Sequence, residues 1–278
     1  MTPALRVDSH PRLSEQQLLV YPVYSRRSGG LSLGININPN KQCTFRCLYC
    51  QVERGGKTIE QPPALEQIKQ ELTQWLENLQ KDQWQYQGHQ LKDIAIAGDG
   101  EPSMVDILPA LLLSLVEMKN QFDPPECKLV LYTNGTNLDR KDLNRIWPTY
   151  FKQGGEVWFK LDAWNEETLR LVNRTKFTFH QIIDNLETLG RQYPIVIQSC
   201  FFNWKNRAFN EKDYLGYVQL LQQIQAKGVK VDRILAYTLA RPPEDSRASP
   251  WNNQEMDRIN AYLSSHLSLD ITTYYSKG

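Results

Sequence analysis

The sequence of 278 residues predicts an α/β fold in which a parallel sheet closes only in part. Strand-like and helix-like segments alternate along the chain, and apolar residues make up 41% of it, enough for one large buried core. Right-handed crossovers make successive strands parallel. About six strand–helix units are present, fewer than a closed eight-stranded barrel needs, so we predict a curved, partly open (β/α)6 barrel.

The strands are predicted from short apolar runs that end in turns. They cover residues 32–37, 92–97, 128–133, 156–162, 194–201 and 231–239, and a short strand ends the chain. Helical spacing of apolar residues predicts helices over 63–79, 105–120, 139–146, 165–172, 179–191, 213–227 and 252–266. The Asn134-Gly135 pair is typical of a turn after the third strand, and Gly228 is typical of a helix end.

Three regions follow from this pattern. Residues 1–30 lack a clear period and are expected to form an N-terminal arm. Residues 31–243 hold the barrel, and residues 244–278 form a C-terminal extension packed on the same domain.

Within the barrel, strand 156–162 alternates strictly, so Lys160 and Asp162 share a face opposite Phe159. We expect the apolar face to meet the helices and the charged face to line an interior cavity.

Charge and hydropathy exclude several classes of function. Lys and Arg total 32 against 31 for Asp and Glu, so a net charge of +1 gives no bulk attraction to nucleic acid, although a local basic patch remains possible. No apolar run reaches the roughly 18 residues of a membrane helix, and the first 30 residues show no signal peptide. A cytoplasmic protein is expected.

The cysteines point to a metal centre. Three of the five lie in the short run Cys43-x3-Cys47-x2-Cys50, directly after the first predicted strand. An odd, clustered set is not a disulfide framework. Thiolates are the usual ligands of iron–sulfur clusters, and this loop can supply one ligand to each of three of the four irons of a cubane, which leaves one iron open to a small molecule. A structural zinc site or a non-catalytic cluster is the alternative, and each requires a fourth protein ligand.

This cysteine motif, with Tyr49 before its last member, resembles the signature of the radical S-adenosylmethionine (radical SAM) superfamily. The segments Gly98–Pro102, Tyr132–Thr136 and Lys160–Ala163 are similar to the motifs on its next three strands. Ser25–Arg27 and Ser32–Asn36 resemble one branch, the small iron–sulfur oxidoreductases related to wyosine-synthesising tRNA enzymes. The resemblance covers roughly residues 20–243.

The resemblance implies a 4Fe–4S cluster and S-adenosylmethionine as cofactors, held through Cys43, Cys47 and Cys50. Reductive cleavage of the sulfonium would give a 5′-deoxyadenosyl radical that abstracts hydrogen from a substrate the sequence does not name. An external electron donor of the flavodoxin or ferredoxin type is implied. A tRNA-modifying enzyme is an alternative, although the chain shows no flavodoxin-like domain, no second cysteine cluster and no basic excess. A non-catalytic iron–sulfur or zinc protein is the alternative of another class.

The resemblance also implies residues that contact S-adenosylmethionine. Glu101, in a loop whose Gly98 and Gly100 permit close approach, would accept hydrogen bonds from the methionine ammonium; a plain polar turn is the alternative. Lys160 and Asp162 would contact the carboxylate and ribose, or form a structural ion pair. The remaining candidates for cofactor contacts are Tyr49, Asn134, Gln198 and Ser199.

Two residues, Cys200 and Arg241, are candidates on the substrate side, and two arginines are candidates for a role near the site. Cys200, at the end of the fifth strand, is either a reactive thiol or a small buried residue. Arg241, after the sixth strand, would bind an anionic group or form a surface ion pair. Arg26 and Arg27 lie in the segment that resembles the family branch, and solvated charges are the alternative for both.

Overall fold

The computed structural model describes residues 5, 18–52, 54, 63–205, 209 and 211–276. The chain divides into two compact units. The first unit consists of Met1–Cys43, Lys57–Tyr132 and Arg140–Val157, and the second of Thr44–Gly56, Thr133–Asp139 and Trp158–Gly278. Most of the arm predicted for residues 1–30 lies outside the described residues, and the three-region division stays a prediction.

The strands of the chain are β1 Val20–Ser25, β2 Gly30–Ile35, β3 Gln85–Tyr86, β4 His89–Ile96, β5 Lys128–Thr133, β6 Gly155–Lys160, β7 Ile195–Cys200, β8 Phe202–Trp204, β9 Val231–Tyr237, β10 Ala248–Pro250 and β11 Asp270–Tyr274. The α-helices are α1 Leu65–Lys81, α2 Leu108–Phe122, α3 Lys141–Lys152, α4 Glu166–Thr168, α5 Phe179–Gln192, α6 Glu211–Ala226 and α7 Asn253–His266. A π-helical turn, Leu169–Asn173, continues α4, and a 3-10 turn covers Pro102–Met104. The predicted alternation of strands and helices is confirmed.

Parallel strand pairing builds the sheet of the first unit. Strand β2 pairs in parallel with β4, and β4 pairs in parallel with β5. Helix α1 follows the predicted spacing, because Ile68, Leu72 and Leu76 recur every four residues and are fully buried. It contacts α2 and β1. The α/β prediction therefore holds for this unit.

Strand β1 corrects the expectation that residues 1–30 are irregular. Val20–Ser25 pairs antiparallel with Gly30–Ile35, so a hairpin begins the described fold. Pro22 makes this strand difficult to recognise from the sequence, because proline has no N–H to donate to the hydrogen bonds between strands. An edge strand tolerates proline, because one of its sides needs no hydrogen bonds, and β1 lies at the end of the strand order.

Helix α3 is longer than the prediction that ended it at residue 146. It runs to Lys152 and contains Pro148. Proline normally ends or kinks a helix, but here the residues on either side of it are anchored by burial: Trp147 and Tyr150 are both buried. The Tyr150 hydroxyl donates to the Leu129 carbonyl at 3.0 Å, so the last turn of α3 is fixed to β5.

The second unit repeats the parallel pattern with different strands. β7 pairs in parallel with β9, and β9 pairs in parallel with β11. Helix α5 begins with a capping box in which Thr178 and Gln181 bond to each other's backbone amides. Strand β6 ends at Lys160, so Asp162 lies just beyond the strand end.

Within the described ranges, no helix is long and apolar enough to cross a membrane.

Gly135 supports a stability prediction. Its φ is +81°, and a Cβ there would overlap the ring of Phe159. We expect Gly135→Ala to lower the free energy of unfolding by about 2–4 kcal/mol, since left-handed strain adds to the overlap. Gly88→Ala is the matched control, because φ is +79° there and no atom lies within 4 Å of the added carbon. It should cost about 1 kcal/mol.

Equilibrium unfolding in urea at constant m-value measures both changes. Equal losses in the two variants would contradict the role given to the Phe159 ring.

Candidate functional site

The cysteine loop, defined here as residues 44–50, lies in the second unit. Its thiols Cys47 and Cys50 are half-buried and free, and the Cys50 amide donates to the Cys47 carbonyl at 3.1 Å. Cys43 is also half-buried and belongs to the first unit. Burial raises the pKa of Cys47 to about 12, against the opposing charge of Lys160. A thiol with this pKa is protonated at neutral pH, and metal binding would release its proton.

The donor set suits an iron–sulfur cluster. Three thiols at this spacing supply three ligands to a cubane, each to a different iron, so they need not converge on one point. Among the described residues, no three His, Cys, Asp or Glu side chains are grouped closely enough to hold one metal ion. The fit rests on the chemistry and the spacing of the thiols.

A brace of four residues, Val172–Thr175, holds the cysteine loop from one side. The Leu48 amide donates to the Val172 carbonyl at 2.9 Å, and the Arg46 amide donates to the Asn173 carbonyl at 2.9 Å. The Thr175 hydroxyl donates to the Thr44 carbonyl at 2.8 Å. The brace begins in the π-helical turn, a conformation that is frequent at functional sites.

The buried carboxylate of Asp162 holds the other side of the loop. The Tyr49 hydroxyl donates to its Oδ2, and the Asn173 side-chain amide donates to the same oxygen at 3.3 Å. The Cys200 backbone amide donates to Oδ1 at 2.9 Å. Asp162 therefore ties the cysteine loop to the end of β7 and to the brace. Its oxygens are engaged by the protein itself.

Lys160 is one of the cations near the cysteine loop. Its ammonium lies over the Tyr49 ring, 4.7 Å from the centroid. Burial acts to lower the pKa of Lys160, but Tyr237, Asp162 and neighbouring thiols outweigh it and hold the pKa well above its ordinary value. Lys160 is therefore charged at neutral pH.

The Gly98–Glu101 loop of the first unit follows β4. Asp99 and Asn36 bond to each other, with the Asn36 side-chain amide donating to Asp99 Oδ2 at 2.8 Å. Glu101 is buried, and its carboxylate accepts from the Ser103 amide at 3.0 Å. The Asn38 side-chain amide donates to the Glu101 carbonyl at 3.2 Å. These bonds fix the loop against the chain that follows β2.

The two glycines of this loop are required by close packing. A Cβ on Gly98 would overlap the Asn36 side chain, and a Cβ on Gly100 would overlap the Gln42 carbonyl. Asn38 is fully buried, and its Oδ1 has no hydrogen-bond partner among the described residues. A buried oxygen of this kind can accept from a donor outside the described residues, such as the ammonium group of a ligand.

Three other candidates for cofactor contacts engage protein groups. The Asn134 side-chain amide donates to the Thr44 hydroxyl at 2.8 Å, and its oxygen accepts from the Thr136 amide at 3.1 Å. The Ser199 hydroxyl donates to the Leu161 carbonyl at 2.6 Å and contacts the Tyr217 hydroxyl. The Gln198 side-chain amide donates to the Trp158 carbonyl at 3.4 Å. These bonds give each residue a structural role in its own loop or strand.

The candidates for the substrate side lie in different places. Cys200 is buried in an apolar cluster with Leu48, Tyr49 and Phe202, against which Cys47 also packs. Burial raises the pKa of the Cys200 thiol far above its usual range. Arg241 is half-buried, and its carbonyl accepts from the Gln51 side-chain amide at 2.8 Å.

The arginines of the family-branch segment lie in the first unit. The guanidinium of Arg27 lies over the ring of Tyr132, 4.9 Å from its centroid. Arg26 is half-buried.

The sequence did not indicate Asn38 of the first unit or Asn173 of the second unit. The only local signal for Asn38 is the run of asparagines after the first strand, Asn36-Ile37-Asn38-Pro39-Asn40. Asn173 carries no local signal, since 126 residues separate it from Cys47.

Comparison with known proteins places the chain in a family. The model of the radical SAM superfamily matches residues 37–206, more than half of the chain. The UPF0026 protein MJ1312 of Methanocaldococcus jannaschii is 33% identical over 86% of this chain and 69% of its own length. The GTPase Obg of Brachyspira hyodysenteriae is 26% identical over 90% of this chain, which spans only 34% of that protein.

Solved structures share the fold at low identity. A radical SAM methyltransferase from Sphaerobacter thermophilus matches with a TM-score of 0.62 and 11% identity, over 93% of this chain and 70% of its own. TYW1 with a lysine–pyruvate adduct bound matches with a TM-score of 0.57 and 17% identity, over 85% and 74% of the two chains. These likenesses confirm the predicted fold, a partial barrel of the radical SAM type. The chain belongs to the radical SAM superfamily, whose enzymes use a 4Fe–4S cluster and S-adenosylmethionine.

Proposed function

We propose that Cys43, Cys47 and Cys50 hold a 4Fe–4S cluster with which this radical SAM enzyme cleaves S-adenosylmethionine and starts hydrogen abstraction from a substrate. The observation that carries the proposal is the attachment of the cysteine loop. Tyr49, between two of the thiols, bonds to the buried carboxylate of Asp162, and the Val172–Thr175 brace fixes the backbone around Cys47. A loop held in this way presents its thiols in a fixed arrangement, as metal ligands require.

When bound, the reduced cluster supplies the electron that breaks the sulfonium S–C5′ bond of S-adenosylmethionine. The residues of the chain bind and orient S-adenosylmethionine and shield the site from water. The apolar cluster around Leu48, Tyr49 and Cys200 excludes water from the Cys47 side of the loop. Lys160 supplies a fixed positive charge that suits the methionine carboxylate.

The methionine ammonium requires acceptors. We propose Glu101 and Asn38 of the first unit as these acceptors, since Asn38 Oδ1 has no hydrogen-bond partner among the described residues. Asn38 donates to the Glu101 backbone carbonyl, so the two side chains belong to one rigid loop system. We assign Asp162 and Asn134 to positioning, because their polar atoms already bond to the protein.

The electron must come from outside this chain. We propose a low-potential donor of the flavodoxin or ferredoxin type, since Cys43, Cys47 and Cys50 are the only clustered cysteines in the sequence. The substrate is left open, because the TYW1 likeness at 17% identity shows a shared fold and carries no substrate.

Replacement of the cysteines tests the cluster. After anaerobic reconstitution with iron and sulfide, the wild-type chain should bind about four irons and, once reduced, form 5′-deoxyadenosine. Cys43→Ala, Cys47→Ala and Cys50→Ala should each lose at least about 100-fold of this product, since a cubane with an additional open iron is labile. Iron content and chromatographic product analysis measure both effects.

Cys127→Ala is the matched control, because this buried thiol lies outside the motif, just before β5. It should keep the iron and the product. A wild-type chain that binds four irons yet yields no 5′-deoxyadenosine under strong reduction would contradict the proposed reaction.

Replacement of Lys160 tests the carboxylate contact. We expect Lys160→Met, which keeps the length but removes the charge, to raise the Kd for S-adenosylmethionine by about 10-fold or more. Lys160→Arg should retain most of the affinity, since it keeps the charge. Titration of the cluster-loaded protein by calorimetry gives Kd, and unchanged iron content shows that the site is intact. Equal Kd values for Lys160→Met and wild type would refute the contact.

A further inference from the structure

Asn173 places a side-chain amide against a cysteine thiol. It is the last residue of the π-helical turn and is 1% exposed. Its Nδ2 lies 3.3 Å from Cys47 Sγ and 3.3 Å from Asp162 Oδ2, as a donor to both. The amide therefore stands between a sulfur that is a proposed cluster ligand and a buried carboxylate.

The backbone fixes this arrangement. The Asn173 carbonyl accepts from the Arg46 amide at 2.9 Å, one residue before Cys47 in the chain. The Leu48 amide, one residue after Cys47, donates to the Val172 carbonyl at 2.9 Å. The backbone on both sides of Cys47 is thus held by the two residues that end the turn, which brings the Asn173 side chain to the sulfur.

We propose that Asn173 sets the reduction potential of the cluster through its hydrogen bond to Cys47 Sγ, an inference that rests on the proposed function. Reduction adds one electron from the external donor to the cluster and breaks no bond. The added negative charge is shared with the thiolate sulfurs, so an N–H donor at the sulfur stabilises the reduced form more than the oxidised form. Hydrogen bonds to cluster sulfurs are one of the determinants of potential.

The Asp162 carboxylate makes the effect of Asn173 larger. In this region of low dielectric, the negative charge of Asp162 disfavours further negative charge on nearby groups. The Asn173 amide donates to the carboxylate and to the sulfur, so it stabilises both negative groups. Without the amide, an additional electron on the cluster would face a carboxylate that has lost one of its three donors.

The test is a reductive titration of three reconstituted variants. Asn173→Leu replaces the amide by an apolar group of similar volume, and Asn173→Ala removes it without the risk of a clash. Thr175→Val is the matched control, because it removes a hydrogen bond from the same brace to the Thr44 carbonyl and touches no sulfur. Electron paramagnetic resonance of the reduced cluster gives the midpoint potential of each protein.

Both Asn173 variants should shift the one-electron reduction about tenfold towards the oxidised cluster, a midpoint lower by about 59 mV. Thr175→Val should keep the wild-type midpoint, although its melting temperature falls. If either Asn173 variant takes up the cluster and keeps the wild-type potential, or if Thr175→Val shifts as far, the inference is wrong. A wild-type chain that forms no 4Fe–4S cluster would instead overturn the proposed function, so the two failures are distinguishable.

Discussion

The buried carboxylate of Asp162 is the constraint on which the second unit depends. A carboxylate removed from water is unfavourable by several kcal/mol unless donors surround it. Here the donors come from three separate parts of the chain, namely Tyr49 of the cysteine loop, Asn173 of the brace and the amide of Cys200. Because each donor must reach the same group, satisfaction of this charge fixes the three parts relative to one another.

The charged groups around Asp162 contribute more to a fixed arrangement of the cysteine loop than to the free energy of unfolding. Lys160 contributes a half-buried positive charge that a well-packed apolar side chain would replace at little loss of stability. Its position over the Tyr49 ring instead gives the cysteine loop a fixed cationic neighbour. Perturbed titratable groups of this kind concentrate at functional sites, and the agreement with the family signature strengthens that reading.

Local patterns explain how much of the fold could be predicted from the sequence. Apolar alternation in β6 and four-residue spacing in α1 follow directly from burial. The predicted bounds of both elements therefore lie within two residues of the observed ones. Strand β1 was missed because Pro22 breaks its pattern, and only its edge position makes proline acceptable. The prediction ends helix α3 at residue 146, whereas the helix continues through Pro148 to Lys152, because burial of Trp147 and Tyr150 offsets the cost of the proline.

The candidate site also contains residues that the sequence indicates and residues that it does not. Cysteine spacing is a local signal and the motif was visible at once, as were the charges of Lys160 and Asp162. Asn173 was not visible, because its role arises only when folding brings it to Cys47. Ser199 was suggested as a cofactor contact because it is a polar residue at a strand end, and folding gives its hydroxyl two partners that the sequence does not indicate, Leu161 and Tyr217.

The long chain separation between the cysteine loop and its brace also imposes an order of assembly. The amide of Asn173 and the sulfur of Cys47 are 126 residues apart, so the loop emerges from the ribosome long before the brace is synthesised. Contacts of such high sequence separation form only after the intervening loop has closed. Under the proposed function, iron and sulfide offered to the nascent chain would therefore meet thiols without a defined geometry, and cluster insertion would follow the synthesis of the brace.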